Sequence, residues 1–126
     1  MYSIANLLAK QLDIYALITG ENVGQVASQT ISNIRAASEV VDIPVLRPLA
    51  GMNKEEIIDI ANQIGTYEIS IQPYEDCCSF FVPPHPATSA NFEQVQHISK
   101  DINLESLYYE AVESLEKETI SFYGKK

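Results

Sequence analysis

The side chains best suited to covalent chemistry in this sequence are two adjacent cysteines, Cys77 and Cys78, which are its only cysteines. They lie in a proline-rich stretch, and a thiol held in a constrained loop suits nucleophilic or sulfur-carrying chemistry. The pair directly follows Glu75 and Asp76, and nearby carboxylates disfavour the reactive thiolate form. From the residues alone, a reactive pair and two ordinary buried cysteines are about equally good interpretations. Because adjacent cysteines rarely bridge each other, the pair indicates a reducing compartment rather than a secreted disulfide scaffold.

Two histidines, His85 and His97, could join the cysteines in a metal site. The sequence contains neither a Cys-x-x-Cys knuckle nor a His-x-x-x-His pair, so the spacing fits no structural zinc pattern. We therefore expect no tightly bound metal.

A second candidate site lies around Gly20. The apolar run before it predicts a buried parallel strand over Ile14–Thr19, and ligands of open α/β sheets bind at the carboxyl ends of such strands. A helix predicted to begin near Gly24 would offer unpaired N–H groups at the same edge. A simple tight turn is the alternative interpretation, since strand–glycine–helix turns are common. Gln25 and Gln29 lie opposite the apolar stripe of that helix, which is typical of a solvated surface.

The positions of the glycines in the sequence limit how this chain could bind a nucleotide. The five glycines stand at positions 20, 24, 51, 65 and 124, so no two are adjacent. They form neither a Walker loop nor a dinucleotide-binding loop. If this chain binds a nucleotide, it therefore contributes the base or ribose side of the binding site.

Apolar periodicity and turn residues predict five helices and two strands. The first helix, from about Tyr2 to Leu12, is expected to bury one face. Asn53 and Glu56 form a capping box at the start of the third helix, and Gly65 ends that helix. The periodicity fails from Thr66 to Ala90, and the two last helices follow. The predicted buried face of the first helix consists of Ile4, Ala5, Leu8 and Leu12. The second strand is predicted at Val45–Leu46. The apolar residues that predict the last two helices are Phe92, Val95 and Ile98 for the first of them, and Leu104, Leu107, Tyr108, Ala111, Val112 and Leu115 for the second.

The order of these elements indicates an α/β fold. Alternating helices and strands imply a parallel sheet, which must be covered on both faces and normally holds four or more strands. Two strands are too few for such a sheet. We therefore interpret the sequence as the rear half of a larger α/β domain.

Composition narrows the function classes further. Acidic residues outnumber basic ones by 17 to 8, which gives a formal net charge of −9 over 126 residues. A nucleic-acid module acting alone needs clustered Lys and Arg, so that class is disfavoured. No apolar run approaches the roughly 20 residues of a membrane span, and no basic-then-apolar leader opens the chain. We expect a cytoplasmic protein with no membrane partner.

Three segments, residues 18–30, 46–58 and 65–78, resemble one family. They combine a Gly-Gln-Val-Ala-Ser-Gln-Thr stretch with a Glu-Asp-Cys-Cys loop, as in the carboxyl-terminal part of the ATP-pyrophosphatase domain of bacterial tRNA 4-thiouridine synthase. This sulfurtransferase family is also assigned to thiamine biosynthesis. The resemblance implies the carboxyl-terminal part of a parallel, three-layer PP-loop domain, of the adenine nucleotide alpha hydrolase-like type. Residues 1–90 would form that half domain and residues 91–126 a helical extension.

The family resemblance also implies a reaction. ATP, with Mg²⁺, adenylates the carbonyl oxygen of uridine 8 in tRNA; a cysteine persulfide loaded by a cysteine desulfurase then delivers sulfur, and AMP leaves. Gly20 and Gln29 match ATP-contacting positions of the family. Cys77 matches the sulfur-carrying cysteine when the loop is aligned without a gap from Ile71, and a shifted alignment selects Cys78.

The sequence also departs from the family pattern. It lacks the Ser-Gly-Gly-x-Asp-Ser pyrophosphate loop and the amino-terminal modules that would bind tRNA. We therefore expect the fragment to be inactive alone. A second interpretation is a non-catalytic module, derived from a nucleotide-binding α/β domain, whose uncovered strand pairs with another chain to form a homodimer.

Overall fold

The protein is described by a computed structural model that covers residues 1–74 and 87–120. Within these ranges it is a helix-rich α/β fold with a small parallel sheet, as the sequence predicts. In chain order the elements are α1 (Tyr2–Gln11), β1 (Leu17–Ile18), α2 (Ile31–Ser38), β2 (Val45–Leu46), α3 (Lys54–Gln63), α4 (Tyr67–Ser70), α5 (Phe92–Asp101) and α6 (Leu104–Glu113).

The two strands pair in parallel, with Leu17 opposite Val45 and Ile18 opposite Leu46. Strand β2 confirms its predicted position, but the buried strand predicted over Ile14–Thr19 is wrong in length and burial. Ile18 is 72% exposed, and its partner Leu46 is 52% exposed. The strand begins later than predicted because the first residue of the apolar run belongs to the turn after α1. The Ile14 amide donates to the carbonyl of Ala9, 2.9 Å away, instead of pairing with a neighbouring strand.

The helix predicted to begin near Gly24 begins seven residues later, at Ile31. Gly24 adopts a φ of +83°, which does not continue a right-handed helix, and its amide bonds to the carbonyl of Gln29 at 3.0 Å. Thr30 is the N-cap, and its hydroxyl accepts a hydrogen bond from the Asn33 amide at 3.2 Å. Residues 23–29 are therefore a loop. The unpaired N–H groups of a helix start, which the sequence analysis expected near Gly24, are not found at that position.

Local end signals of α3 are confirmed. The Asn53 side chain accepts from the Glu56 amide at 3.0 Å, while the Glu56 carboxylate accepts from the Asn53 amide at 2.7 Å. Gly65 follows the helix with a φ of +74°. The aperiodic stretch from Thr66 contains one short helix, α4, which the sequence analysis missed because four residues are too few to show a period. It packs against α3.

The helices at the carboxyl end pack on those at the amino end, α6 against α1 and α5 against α2. This packing decides which face of α1 is buried. Asn6 and Ala9 are buried, whereas Leu12, predicted to be buried, is 48% exposed. Ile4, Ala5 and Leu8 are half-buried, so the predicted face is wrong by part of a turn. The division of the chain at residue 90 stays a prediction.

The described helices are too short and too polar to cross a lipid bilayer.

Candidate functional site

The loop that follows β1 (residues 19–30, the β1 loop) and the loop that follows β2 (residues 47–53, the β2 loop) are joined through Asn22. Asn22 is 4% exposed. Its side-chain Nδ2 donates to the carbonyls of Leu49 and Met52, each 2.6 Å away. The neighbouring amide of Val23 donates to the carbonyl of Ala50 at 3.1 Å. Because buried polar groups need partners, these bonds fix the β1 loop against the β2 loop at the carboxyl edge of the sheet.

The structure brings Gly20 and Gln29 into this same β1 loop. The Gln29 side-chain oxygen accepts from the Asn22 amide at 3.2 Å, so the side chain turns back toward the strand end. Gln29 is half-buried and precedes α2, so its interpretation as part of a solvated helix surface is wrong. Gly20 is exposed, and no heavy atom lies within 4 Å of the position a Cβ would take. A ligand could therefore approach the backbone of Gly20 from the side where a Cβ would lie.

A charged cluster stands next to Gly20. The Glu21 carboxylate accepts hydrogen bonds from the Tyr2 hydroxyl at 2.5 Å, from Arg47 Nε at 2.8 Å and from the Thr19 hydroxyl at 3.1 Å. An Arg47 NH group also donates to the Tyr2 oxygen at 3.3 Å. The cluster therefore links the start of α1 to the ends of both strands. The sequence analysis did not single it out, although Arg47 directly follows β2 and Glu21 follows β1 by three residues.

This cluster changes the titration of Glu21. Partial burial raises the pKa of its carboxyl, but the hydrogen bonds from Tyr2, Arg47 and Thr19 together outweigh burial and hold the pKa below the ordinary value of 4.5. A carboxyl with a lowered folded pKa stabilises the protein above its unfolded pKa, and that stabilisation is lost as the pH falls through the folded value.

In Glu21→Gln, the free energy of unfolding should therefore fall less as the pH is lowered. We expect the loss of unfolding free energy between about pH 7 and about pH 3 to be smaller in this variant by about 1–2 kcal/mol. Urea denaturation at both pH values measures the difference. Glu113→Gln, at an exposed position of α6, is the matched control and should behave as the wild type. Identical acid sensitivity in all three proteins would contradict the role given to the cluster.

The remaining candidates for chemistry from the sequence are the two cysteines and the two histidines. Cys77, Cys78 and His85 lie outside the described residues. His97 is exposed and its Nδ1 lies 3.2 Å from the Asp101 carboxylate one helical turn later, which is typical of a surface pair. Over residues 1–74 and 87–120, no three His, Cys, Asp or Glu side chains are grouped so that they could hold a metal ion.

Comparison with known proteins places the chain in a family. Residues 1–104 match the family model described as "Thiamine biosynthesis protein (ThiI)". The "Probable tRNA sulfurtransferase" of Acetivibrio thermocellus is 50% identical over 121 residues, which cover 96% of this chain and 31% of that protein. The protein of the same name from Bacillus subtilis is 44% identical over 126 residues, 100% of this chain and 31% of that protein.

A solved structure agrees with both sequence comparisons. It is described as the crystal structure of a 4-thiouridine synthetase–RNA complex with bound ATP, and it matches with a TM-score of 0.83 and 44% identity. The match covers 90% of this chain and 30% of that one. The chain thus spans about a third of the length of the relatives it matches. From the family match and these likenesses together, it belongs to the ThiI family of thiamine biosynthesis proteins.

Proposed function

We propose that this chain is part of an ATP-dependent tRNA sulfurtransferase that makes 4-thiouridine, and that its β1 loop contacts the nucleotide. The observation that carries the proposal is that the Gln29 side chain bonds to the amide of Asn22, two residues after Gly20, in the loop at the carboxyl edge of the parallel sheet. That edge is where open α/β sheets bind ligands. The similar synthetase was crystallised with RNA and ATP, which supports both ligands for this family member.

The nucleotide contact proposed here is to the adenosine part of ATP. The Gln29 amide is neutral, and Gly20 presents open backbone; both suit a base edge or a ribose hydroxyl better than a triphosphate. Residues 19–30 contain no Lys or Arg, and the Glu21 carboxylate among them is paired with Arg47, so this loop supplies no cation for phosphates. The 126 residues hold no glycine-rich phosphate loop, so the triphosphate and its Mg²⁺ would be bound by residues outside this chain.

The proposed reaction has three steps. The O4 oxygen of uridine 8 attacks the α-phosphorus of ATP, and pyrophosphate leaves. The terminal sulfur of a cysteine persulfide then attacks C4, and the C4–O bond breaks to release AMP. A second thiol then attacks the cysteine sulfur of the resulting C4–S–S–Cys linkage, forms a disulfide with that cysteine, and releases 4-thiouridine. Adenylation makes the oxygen a good leaving group, and a polarisable sulfur suits the displacement.

Cys77 is the proposed sulfur carrier, with Cys78 as the alternative. A cysteine desulfurase would load the persulfide, and the same persulfide would supply sulfur for the thiazole of thiamine. The net charge of −9 indicates that tRNA is bound mainly by other parts of the whole protein. We therefore propose that the 126 residues alone do not thiolate tRNA, and that the whole protein works in the cytoplasm.

Gly20→Ala tests the nucleotide contact. The added methyl meets no protein atom within 4 Å, so stability should hardly change, whereas a nucleotide lying on that backbone would be displaced. In the whole protein, assayed for thiouridine formation with tRNA, ATP and a desulfurase, we expect the KM for ATP to rise about tenfold or more. Gly51→Ala is the matched control, since a Cβ there also meets nothing within 4 Å. Equal KM values for the two variants would refute the contact, and a wild-type protein that forms no thiouridine would refute the function.

One observation favours the second interpretation, a non-catalytic interaction module. Ile18 and Leu46 are directly paired in the sheet and both are exposed, which leaves an apolar strip that another chain could cover. Light scattering, which measures dimerisation, and the thiolation assay together distinguish the two interpretations. A stable dimer without thiolation activity in the whole protein favours the module, and thiolation favours the enzyme.

A further inference from the structure

Gly20 lies between two residues whose positions are fixed, although its own surroundings are open. The Thr19 amide donates to the carbonyl of Leu46 at 3.0 Å, which ties Thr19 to the end of β2. The Glu21 carboxylate accepts from the Thr19 hydroxyl at 3.1 Å, so the side chains on the two sides of Gly20 bond to each other. Because glycine has more backbone freedom than any other residue, these neighbours decide how narrowly the peptide groups of Gly20 are oriented.

Arg47 fastens the Glu21 side chain to the end of the second strand. Its Nε donates to Oε2 of Glu21 at 2.8 Å, and its Nη1 donates to the carbonyl of Val45 at 3.3 Å. Its Nη2 donates to the Tyr2 hydroxyl at 3.3 Å, and this hydroxyl donates to the same Glu21 oxygen. The planar guanidinium presents its donors in a rigid arrangement, so it sets where the Glu21 carboxylate lies.

The other ion pairs of the described residues are more exposed than the pair of Glu21 and Arg47, whose side chains are each 21% exposed. Lys10 and Asp42, which join α1 to the segment before β2, have side chains that are 57% and 63% exposed. Exposed pairs hold a backbone poorly, because two long solvated side chains keep much of their conformational freedom. Four further hydrogen bonds surround the pair of Glu21 and Arg47, and they keep it in one geometry.

We propose that Glu21 and Arg47 are positioning residues for the nucleotide: together they hold the backbone of Gly20 in the orientation that adenosine contacts. This inference rests on the nucleotide contact of the proposed function. A ligand that had to fix a freely moving glycine as it bound would bind more weakly, because ordering that backbone costs conformational entropy. In this proposal neither charged side chain touches the nucleotide, and their effect passes through the residues on the two sides of Gly20.

Glu21→Ala and Arg47→Ala test the proposal singly and together, in the whole protein assayed for tRNA-dependent pyrophosphate release. We expect the KM for ATP to rise about fivefold to tenfold in each variant, while the KM for tRNA stays within about twofold of wild type. Because the two residues act as one unit, the double variant should have about the same KM for ATP as each single variant. Lys10→Ala, which removes an ion pair before β2, is the matched control and should leave both KM values within about twofold.

The double variant separates positioning from direct contact with ATP. If the Arg47 guanidinium bound a phosphate itself, Arg47→Ala would raise the KM for ATP as strongly in the Glu21→Ala background as in the wild type, and that result overturns the proposal. A merely structural role would lower kcat or the amount of folded enzyme and leave the KM for ATP unchanged, which also overturns it. If an alanine variant does not fold, Glu21→Gln takes its place, because it keeps the shape of the side chain and one accepting oxygen. Loss of the charge weakens the bond to Arg47, so we expect the KM for ATP to rise about twofold to threefold, and a wild-type KM overturns the proposal.

Gly20→Ala, measured in the same assay, distinguishes failure of this inference from failure of the proposed function. A raised KM for ATP in Gly20→Ala, with wild-type KM values in the Glu21 and Arg47 variants, overturns the positioning role alone. A wild-type KM for ATP in Gly20→Ala overturns the nucleotide contact, and the positioning role fails with it.

Discussion

Cys77→Ser should lower thiouridine formation by the whole protein about 100-fold or more, because a serine hydroxyl cannot carry a persulfide. Adenylation needs no thiol, so tRNA-dependent pyrophosphate release should continue near the wild-type rate. The two assays together locate the defect in sulfur transfer rather than in folding or ATP binding. A radiolabelled sulfur donor, passed through the desulfurase, gives the same information directly, since label should reach the wild-type protein and not the variant.

Cys78→Ser is the matched control, with the same change of atom one position away. We expect it to retain most thiouridine formation, and mass spectrometry after desulfurase treatment should find the extra sulfur on Cys77. The reverse pattern, with loss of activity and of the persulfide in Cys78→Ser only, would transfer the role to Cys78. Full activity in both single variants would contradict the proposal that either thiol of this loop carries the sulfur.

Local signals in the sequence predicted local structure well. The capping box of Asn53 and Glu56 and the glycine stop at Gly65 depend on residues only a few positions apart, and both are confirmed. The start of α2 was misplaced because the apolar spacing continues backward through the loop, whereas the positive φ of Gly24 and the cap at Thr30 decide where the helix begins. Spacing alone does not distinguish a helix from a loop that happens to share its period.

Tertiary contacts account for most of what the sequence did not reveal. The buried face of α1 follows from packing against α6 and from the bonds of Asn6 to Val40 and Asp42. At the candidate site, Gly20 follows the carboxyl end of β1, as the sequence analysis expected, and ligand binding there stays a prediction. The rule for parallel sheets could not identify Asn22 or the pair of Glu21 and Arg47, whose partners lie 26 to 30 positions away in sequence.

Asn22→Ala should be among the most destabilising single substitutions in the described part of the chain. The change removes two hydrogen bonds of 2.6 Å and leaves the carbonyls of Leu49 and Met52 without their donor next to a buried methyl group. We expect the free energy of unfolding to fall by about 2–4 kcal/mol, measured by urea denaturation. Asn62→Ala, at an exposed position of α3, is the control and should change it by less than about 0.5 kcal/mol.

Asn22→Asp separates the loss of the two donors from the loss of side-chain volume. The carboxylate has nearly the shape of the amide but points its oxygens at two carbonyls, which raises the pKa of the new acid in the folded state. A raised carboxyl pKa costs stability above the unfolded value, so this variant should be least stable near neutral pH and recover as the pH falls toward about 4. Asn22→Ala, with no titrating group, should show no such recovery relative to wild type. If both variants were as stable as Asn62→Ala at neutral pH, Asn22 would not be what fastens the loop of Gly20 and Gln29 to the end of β2.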